Sequence, residues 1–197
     1  MRVKNIGFWI ILFSIITLIF FPAIIYPFFQ DDFFALVTTK ITSLGDIWRL
    51  FLPVAEAVYW RPLGIQLYFG LMQFFGLGQP IWFHLVSLLV HLLNTYLVYR
   101  LIRSLRATGG SVAISRIAKL TAFLWGTSPI HYFALGWAVN FSFILVVTWS
   151  ILGAGIKITS CRADKRDVIG GVKTSRNYNT QASLLPPTLK DYVLSDL

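Results

Sequence analysis

Residues 5–30 read NIGFWIILFSIITLIFFPAIIYPFFQ, twenty-six positions without a formal charge. About 20 consecutive apolar residues are enough to cross a bilayer. The run follows Met1-Arg2-Val3-Lys4, so a secretory signal has to be weighed against a permanent span. Such a signal has an apolar stretch of about 7–15 residues and a small-x-small cleavage site. This run is longer and no such site follows it, so it reads as an uncleaved first span. Two further charge-free runs lie at Pro62–Tyr99 and Leu120–Ile156. The rest of the composition agrees. Of 197 residues 56% are hydrophobic and 13% charged, with mean hydropathy +0.70. A soluble domain carries about 25% charged residues, so the chain is an integral membrane protein. Its net charge of +9 would suggest nucleic acid in a soluble chain. Here topology accounts for the basic residues, and no nucleic-acid partner is expected.

Basic flanks set the number of crossings. Arg2 and Lys4 place the N-terminus inside by the positive-inside rule. Arg100, Arg103, Arg106, Arg116 and Lys119 follow the second run without an acid among them, so that segment is inside too. An even number of crossings must separate the two. The first span is one, and Ile81–Tyr99, which has no internal Gly or Pro, is the other. Arg61–Gly78 carries Gly64, Gly70, Gly76 and two Gln, and reads as an interfacial or re-entrant segment. The third run leaves from Lys119 and returns to Lys157 as a two-span hairpin. The expected fold is therefore an all-α polytopic membrane bundle of four transmembrane helices, about 7–27, 81–100, 118–136 and 138–157. Both termini are inside (cytoplasmic). The outer loop 28–80 holds interfacial helices, for example Asp46–Leu52, where Ile47, Leu50 and Phe51 share a face. Residues 1–157 form one membrane region. The segment 158–197 is polar, contains Pro186-Pro187, and reads as a disordered cytoplasmic tail. Cys161 is the only cysteine, which excludes a disulfide framework and a Cys-based zinc site.

The acids gather outside: Asp31, Asp32, Asp46 and Glu56 are the only four before the tail. Asp31-Asp32 directly follows the first span. Adjacent carboxylates repel and partial desolvation raises their pKa values, which suits a general base; equally, the pair can simply end the helix in water. Arg61, within Tyr59-Trp60-Arg61-Pro62-Leu63-Gly64, can hold a lipid phosphate in its guanidinium fork, snorkel, or pair with an acid. His84 and His91 share a helix face but stand about 10 Å apart along it, so they cannot chelate one metal as a pair. No metal or other cofactor is expected. His84 and His131 fall near the outer ends of their spans and can face the same site as Asp31, or simply pack. His91 and Asn94 lie deeper and read as bundle-packing polar groups.

In their order along the chain these pieces resemble the N-terminal part of the GT-C class of polytopic glycosyltransferases. The likeness is to the protein O-mannosyltransferase-like branch that includes the transmembrane and tetratricopeptide-repeat mannosyltransferases. It rests on Asp31-Asp32-Phe33, Tyr59-Trp60-Arg61-Pro62-Leu63, the stretch Phe83-His84-Leu85 through His91-Leu92-Leu93-Asn94, Ser128-Pro129-Ile130-His131, and Trp137. The family often shows His-Pro-x-His-x-Glu; here Ser128 stands for its first His and Phe133 for its Glu. The resemblance implies sugar transfer from a polyprenyl-phosphate donor to an acceptor hydroxyl, on a protein or glycan, at the outer face. In that reading Asp31 takes the acceptor proton and Asp32 orients the acceptor or tunes Asp31. Arg61, with His84 or His131, binds the departing phosphate. Family members carry more spans than four. A second reading is thus a truncated or accessory protein that packs on a longer membrane partner. A third is a small transporter, suggested only by His91 and Asn94 at membrane depth.

Overall fold

A computed structural model of the chain describes residues 6–53, 60–105, 111–158 and 160. Arg2, Lys4, Glu56, Tyr59, Arg106, Cys161 and the segment 161–197 lie outside the described residues, and with them the expectations placed there. Among the described residues there is helix and no strand. The order is α1 (Ile6–Ile24), α2 (Asp31–Thr38), a 3-10 turn (Leu44–Phe51), a π-helical turn (Pro62–Leu67), α3 (Tyr68–Phe74), α4 (Pro80–Ser104) and α5 (Ser111–Gly126). A 3-10 turn (Pro129–His131), α6 (Tyr132–Gly136) and a second 3-10 turn (Ala138–Asn140) follow. A last helix, α7, covers 141–158. The chain divides into two compact units, Met1–Ala154 and Gly155–Leu197. The first holds α1 through most of α7. Of the second, residues 155–158 and 160 are described, all of them helical.

Among the described residues three helices are long and apolar enough to cross a membrane: Ile6–Ile24, Pro80–Ser104 and Ala138–Ile158, with mean hydropathies of 2.4, 1.6 and 1.9. In α1 the buried residues Trp9, Leu12, Ile16, Phe20 and Ala23 recur every three or four positions, one stripe of a helix. Ile10, Ile11, Leu18 and Phe21 on the other side are exposed, as a lipid-facing surface requires. Pro80 opens α4 at the position where a missing N–H costs nothing. At 25 residues α4 is about 37 Å long, more than the hydrocarbon thickness of about 30 Å. α1 and α4 run antiparallel: Trp9 stacks edge-on to Tyr99 with centroids 5.0 Å apart, and Phe20 packs on His91 at 5.5 Å.

The stretch 118–136, expected as one span, is not one helix. α5 begins earlier, at Ser111, and stops at Gly126, 16 residues or about 24 Å. Pro129 is the reason. It lacks an N–H and forces Ser128 out of the helical region, to ψ 127°. The chain then climbs through two short helical pieces to Gly136. α5 lies close against α4 because its inward positions are small. Ala118 and Ala122 are fully buried, and a Cβ on Gly126 would sit 2.6 Å from Ile16 Cδ1 and 2.9 Å from Thr95 Cγ2. Such small residues are how helices approach one another in lipid.

The loop between α1 and α4 is mostly helical. Leu50 is buried and Ile47 and Phe51 half-buried in the Leu44–Phe51 turn, the face read from the sequence. Leu44 and Trp48 are exposed. Pro62–Phe74 is 13 helical residues, about 20 Å, too short to cross the hydrocarbon alone.

Candidate functional site

The two adjacent acids do different things. α1 stops before Pro27, and Gln30, at φ 29° in the left-handed region, turns the chain into α2. That turn sends Asp32 inward and leaves Asp31 exposed. Asp32 is fully buried. Its Oδ2 accepts the N–H of Phe29 at 3.0 Å and its Oδ1 the N–H of Val139 at 2.8 Å. The first closes its own turn; the second ties the start of α2 to the 3-10 turn that leads into α7. Burial pushes the Asp32 carboxyl above the ordinary carboxylate value, against the pull of those N–H groups and of nearby His84. Asp46 is unlike either. Its Oδ2 accepts from Thr42 N and Oγ1 and from Ser43 N and Oγ, at 2.8–3.2 Å. Those bonds lower its pKa to about 2. It caps the Leu44–Phe51 turn.

Arg61 is held by the same stretch of chain that holds Asp32. Its Nη1 donates to Ser142 Oγ at 3.0 Å, and its guanidinium lies 5.0 Å from the Phe143 ring centre. Val139 and Ser142 are one helical turn apart, about 4.5 Å of rise. The contact is possible because Gly64 has no side chain: a Cβ there would collide with Ser142 Cβ and lie 2.6 Å from its Cα. Between the π-helical turn and α7 runs an open groove of about 370 Å³. It is lined by Arg61, Leu63, Ser142, Phe143, Val146 and Trp149, among others.

The histidines lie elsewhere, in the interior against the broken stretch. His84 is buried, and its Nδ1 donates to the carbonyl of Leu135 at 2.9 Å. His91 Nε2 donates to the carbonyl of Gly126 at 3.0 Å. A carbonyl only accepts, so these rings carry their protons on Nδ1 and Nε2 respectively. His131 packs between His91 and Trp125, with centroids 4.6 and 4.5 Å away. Asn94 donates to the Ile144 carbonyl at 3.1 Å and accepts from Thr148 Oγ1 at 2.8 Å. Thus His91 and Asn94 pack the bundle, as read. Neither His84 nor His131 lines the groove at Arg61. Broken backbone buried in a helix bundle survives only where its polar groups find partners. His84, His91 and Asp32 supply them. Among the described residues there is no group of three or more His, Cys, Asp or Glu able to hold a metal ion.

Two residues that sequence reasoning did not single out belong to the site, Val139 and Ser142. One contributes a backbone N–H and the other a small hydroxyl, and neither has a compositional signal. Gln66 is a third: it is buried in the π-helical turn with its Oε1 unpartnered. A polar side chain amid a Pro62-to-Leu71 apolar stretch was the available clue. Comparison with known protein families, with curated proteins and with solved structures gives no match to this chain.

Proposed function

We propose that this protein works as a glycosyltransferase of the membrane surface. It would use a polyprenyl-phosphate sugar donor and an acceptor hydroxyl at the end of the bundle where α1 stops and α4 starts. In this reading α5 and α6 together make one crossing, broken at 127–137. The chain then crosses four times, its termini cytoplasmic and its 28–80 loop outside, with the α2 and Leu44–Phe51 helices resting on the membrane. The observation that carries the reading is the division of labour in Asp31-Asp32. A buried Asp32 fixes the turn, and an exposed Asp31 is presented at its rim.

The chemistry is an inverting displacement. The acceptor oxygen attacks the anomeric carbon while its proton passes to the Asp31 carboxylate. The bond from that carbon to the phosphate oxygen breaks, and the polyprenyl phosphate leaves with the electron pair. Charge grows on the leaving phosphate, and Arg61 is the cation placed to stabilise it. One base suffices because phosphate leaves without protonation. Asp32 serves as the positioning residue for Asp31. His84 and His131, in the interior, serve the bundle.

The test is release of labelled sugar from a polyprenyl-phosphate pool in membranes bearing each variant. Asp31→Asn should lower transfer by about 10²–10⁴-fold, the usual worth of a general base, with abundance unchanged. Lys40→Gln, exposed on the same loop, is the control. Asp46→Asn is unsuited to that role because Asp46 caps its turn. Full transfer by Asp31→Asn would refute the assignment. Transfer that appears only when a longer membrane partner is supplied would favour the accessory reading, which the open side of the Arg61 groove supports.

A further inference from the structure

The end of the bundle opposite Asp31 has no role in the chemistry above, yet four cations gather there. α4 finishes with Arg100 and Arg103, and α5 brings Arg116 and Lys119 back past them. The core of that end is aromatic: Phe8 and Trp9 of α1, Tyr96 and Tyr99 of α4. The other three rings all meet Trp9, with centroids 5.0–5.3 Å apart. Three of the cations lie on these rings. Arg103 is 5.5 Å from the Tyr99 ring centre and its Nη1 donates to Tyr99 Oη at 3.1 Å. Arg100 does the same to Tyr96, at 6.0 and 3.3 Å. The Lys119 ammonium is 5.0 Å from the Phe8 ring centre. We propose that this end of the bundle is a binding site for one anionic phospholipid. Its phosphate would be held by the Arg100 and Arg103 pair, with Lys119 and Arg116 adding to the attraction. The proposal rests on α4 crossing the bilayer, as read above, and on nothing in the sugar chemistry.

Depth, charge and geometry select this occupant. Arg100 stands about 30 Å along the helix from Pro80, the thickness of the hydrocarbon, and Arg103 about 4.5 Å beyond it. With Pro80 at one edge of the hydrocarbon, both guanidinia fall among the phosphates of the opposite leaflet. Tyr and Trp favour the same layer. As for charge, the only ion pair among the described residues is Arg49–Asp46, in the loop 28–80. Among them, then, no carboxylate neutralises this end. The segment 158–197 is no complement either, with six Lys and Arg against four Asp. The geometry separates these groups from cations that merely snorkel to the headgroups. Each arginine is fixed by a hydroxyl and a ring face. A guanidinium that gives one N–H to a tyrosine keeps four in the fork that fits a phosphate. Basic pockets between transmembrane helices on the cytoplasmic side bind anionic head groups, and the four-crossing reading puts this end on that side.

The experiment is a lipid titration of the purified full chain in detergent micelles, read by native mass spectrometry. The probes are phosphatidylglycerol, phosphatidylcholine, inorganic phosphate and a short single-stranded RNA. At about fivefold per cation near a membrane surface, one phosphatidylglycerol should be retained at least about tenfold more tightly than phosphatidylcholine. Neither phosphate nor RNA should displace it. Arg100→Gln and, separately, Arg103→Gln should each weaken retention about fivefold. Tyr99→Phe keeps every charge and the ring but releases Arg103, and should weaken it about two- to tenfold, the worth of one hydrogen bond. Lys40→Gln, an exposed cation of the loop 28–80, should leave it unchanged. Each variant's unfolding midpoint is read in parallel, and both arginines are exposed, so replacing them spares the core. Equal retention of the two lipids would overturn the proposal, as would displacement by phosphate or RNA. So would an equal loss from Lys40→Gln, or none from Tyr99→Phe, because the preference would then follow net charge alone. Crossing is read separately, in nanodiscs, by quenching of tryptophan fluorescence with phosphatidylcholine brominated along its chains. Trp82 of α4 and Trp149 of α7 are exposed. Quenching without lipid preference keeps the crossing and refutes the site, whereas absence of quenching refutes both.

Discussion

Replacing Gly64 by Ala tests the joint on which the site depends. The added Cβ would lie 2.6 Å from Ser142 Cα, where ordinary contact begins at 3.4 Å, so the two backbones must part by about 0.8 Å. A shift of that size carries the 3.0 Å bond from Arg61 to Ser142 out of range. The steric cost is that of overpacking, about 1–3 kcal/mol, since the obstacle is backbone and not the end of a flexible side chain. Against it stands about 0.5–1 kcal/mol gained because alanine loses less freedom than glycine in a helix. The net loss is about 0–2.5 kcal/mol, or up to about a 60-fold change in the unfolding equilibrium. The assay is SDS titration of the purified chain in mixed micelles, followed by tryptophan fluorescence. Gly78→Ala is the control, because nothing lies within 4 Å of a Cβ there. Ser142→Gly removes the nearest obstacle and leaves the Cα, so it should rescue Gly64→Ala only in part. A Gly64→Ala protein as stable as the Gly78→Ala protein would show that the two backbones are not in contact, and the groove would lose its floor.

Gly76 has open space around it but a φ of +73°, so Gly76→Ala should cost about 1–2 kcal/mol through the backbone alone, read by the same titration. Asp32 is held above the ordinary carboxylate pKa of 3.8, so the folded chain binds that proton more tightly than the unfolded one. Its stabilising share is full below pH 3.8, falls as pH rises through the folded value, and is flat above it. Asp32→Asn should remove that slope between acid and neutral pH, and an unchanged slope would assign it to another group. His91→Leu leaves the buried Gly126 carbonyl without its donor and should cost about 1–3 kcal/mol, whereas His91→Gln, which keeps a donor, should cost less.

How much of this was legible beforehand depended on where the information sits. The α1 and α4 helices were readable because length, apolarity and the lack of internal breakers all agree. Structure extends α4 by one residue at Pro80 and four beyond 100. The break at Ser128-Pro129 was visible as a breaker, yet the apolar run continued through it. Hydropathy counts side chains and does not register a lost backbone hydrogen bond. Adjacent acids look alike in a sequence. Which of them turns inward was decided by the φ of Gln30, and a left-handed glutamine has no signature of its own. Arg61 stood out as a cation among aromatics, whereas its partner Ser142, 81 positions away, was an ordinary serine of an apolar helix.

The helix break also orders events in time. A segment that has finished its own hydrogen bonds can leave water for lipid unaided, and α1 and α4 are such segments. The stretch from Gly126 to Val139 is different, because its carbonyls at 126 and 135 and its amide at 139 are completed by His91, His84 and Asp32. Those three side chains are all made earlier in synthesis, on segments N-terminal to the break. On the four-crossing reading proposed above, the stretch would enter the membrane against partners that are already in place.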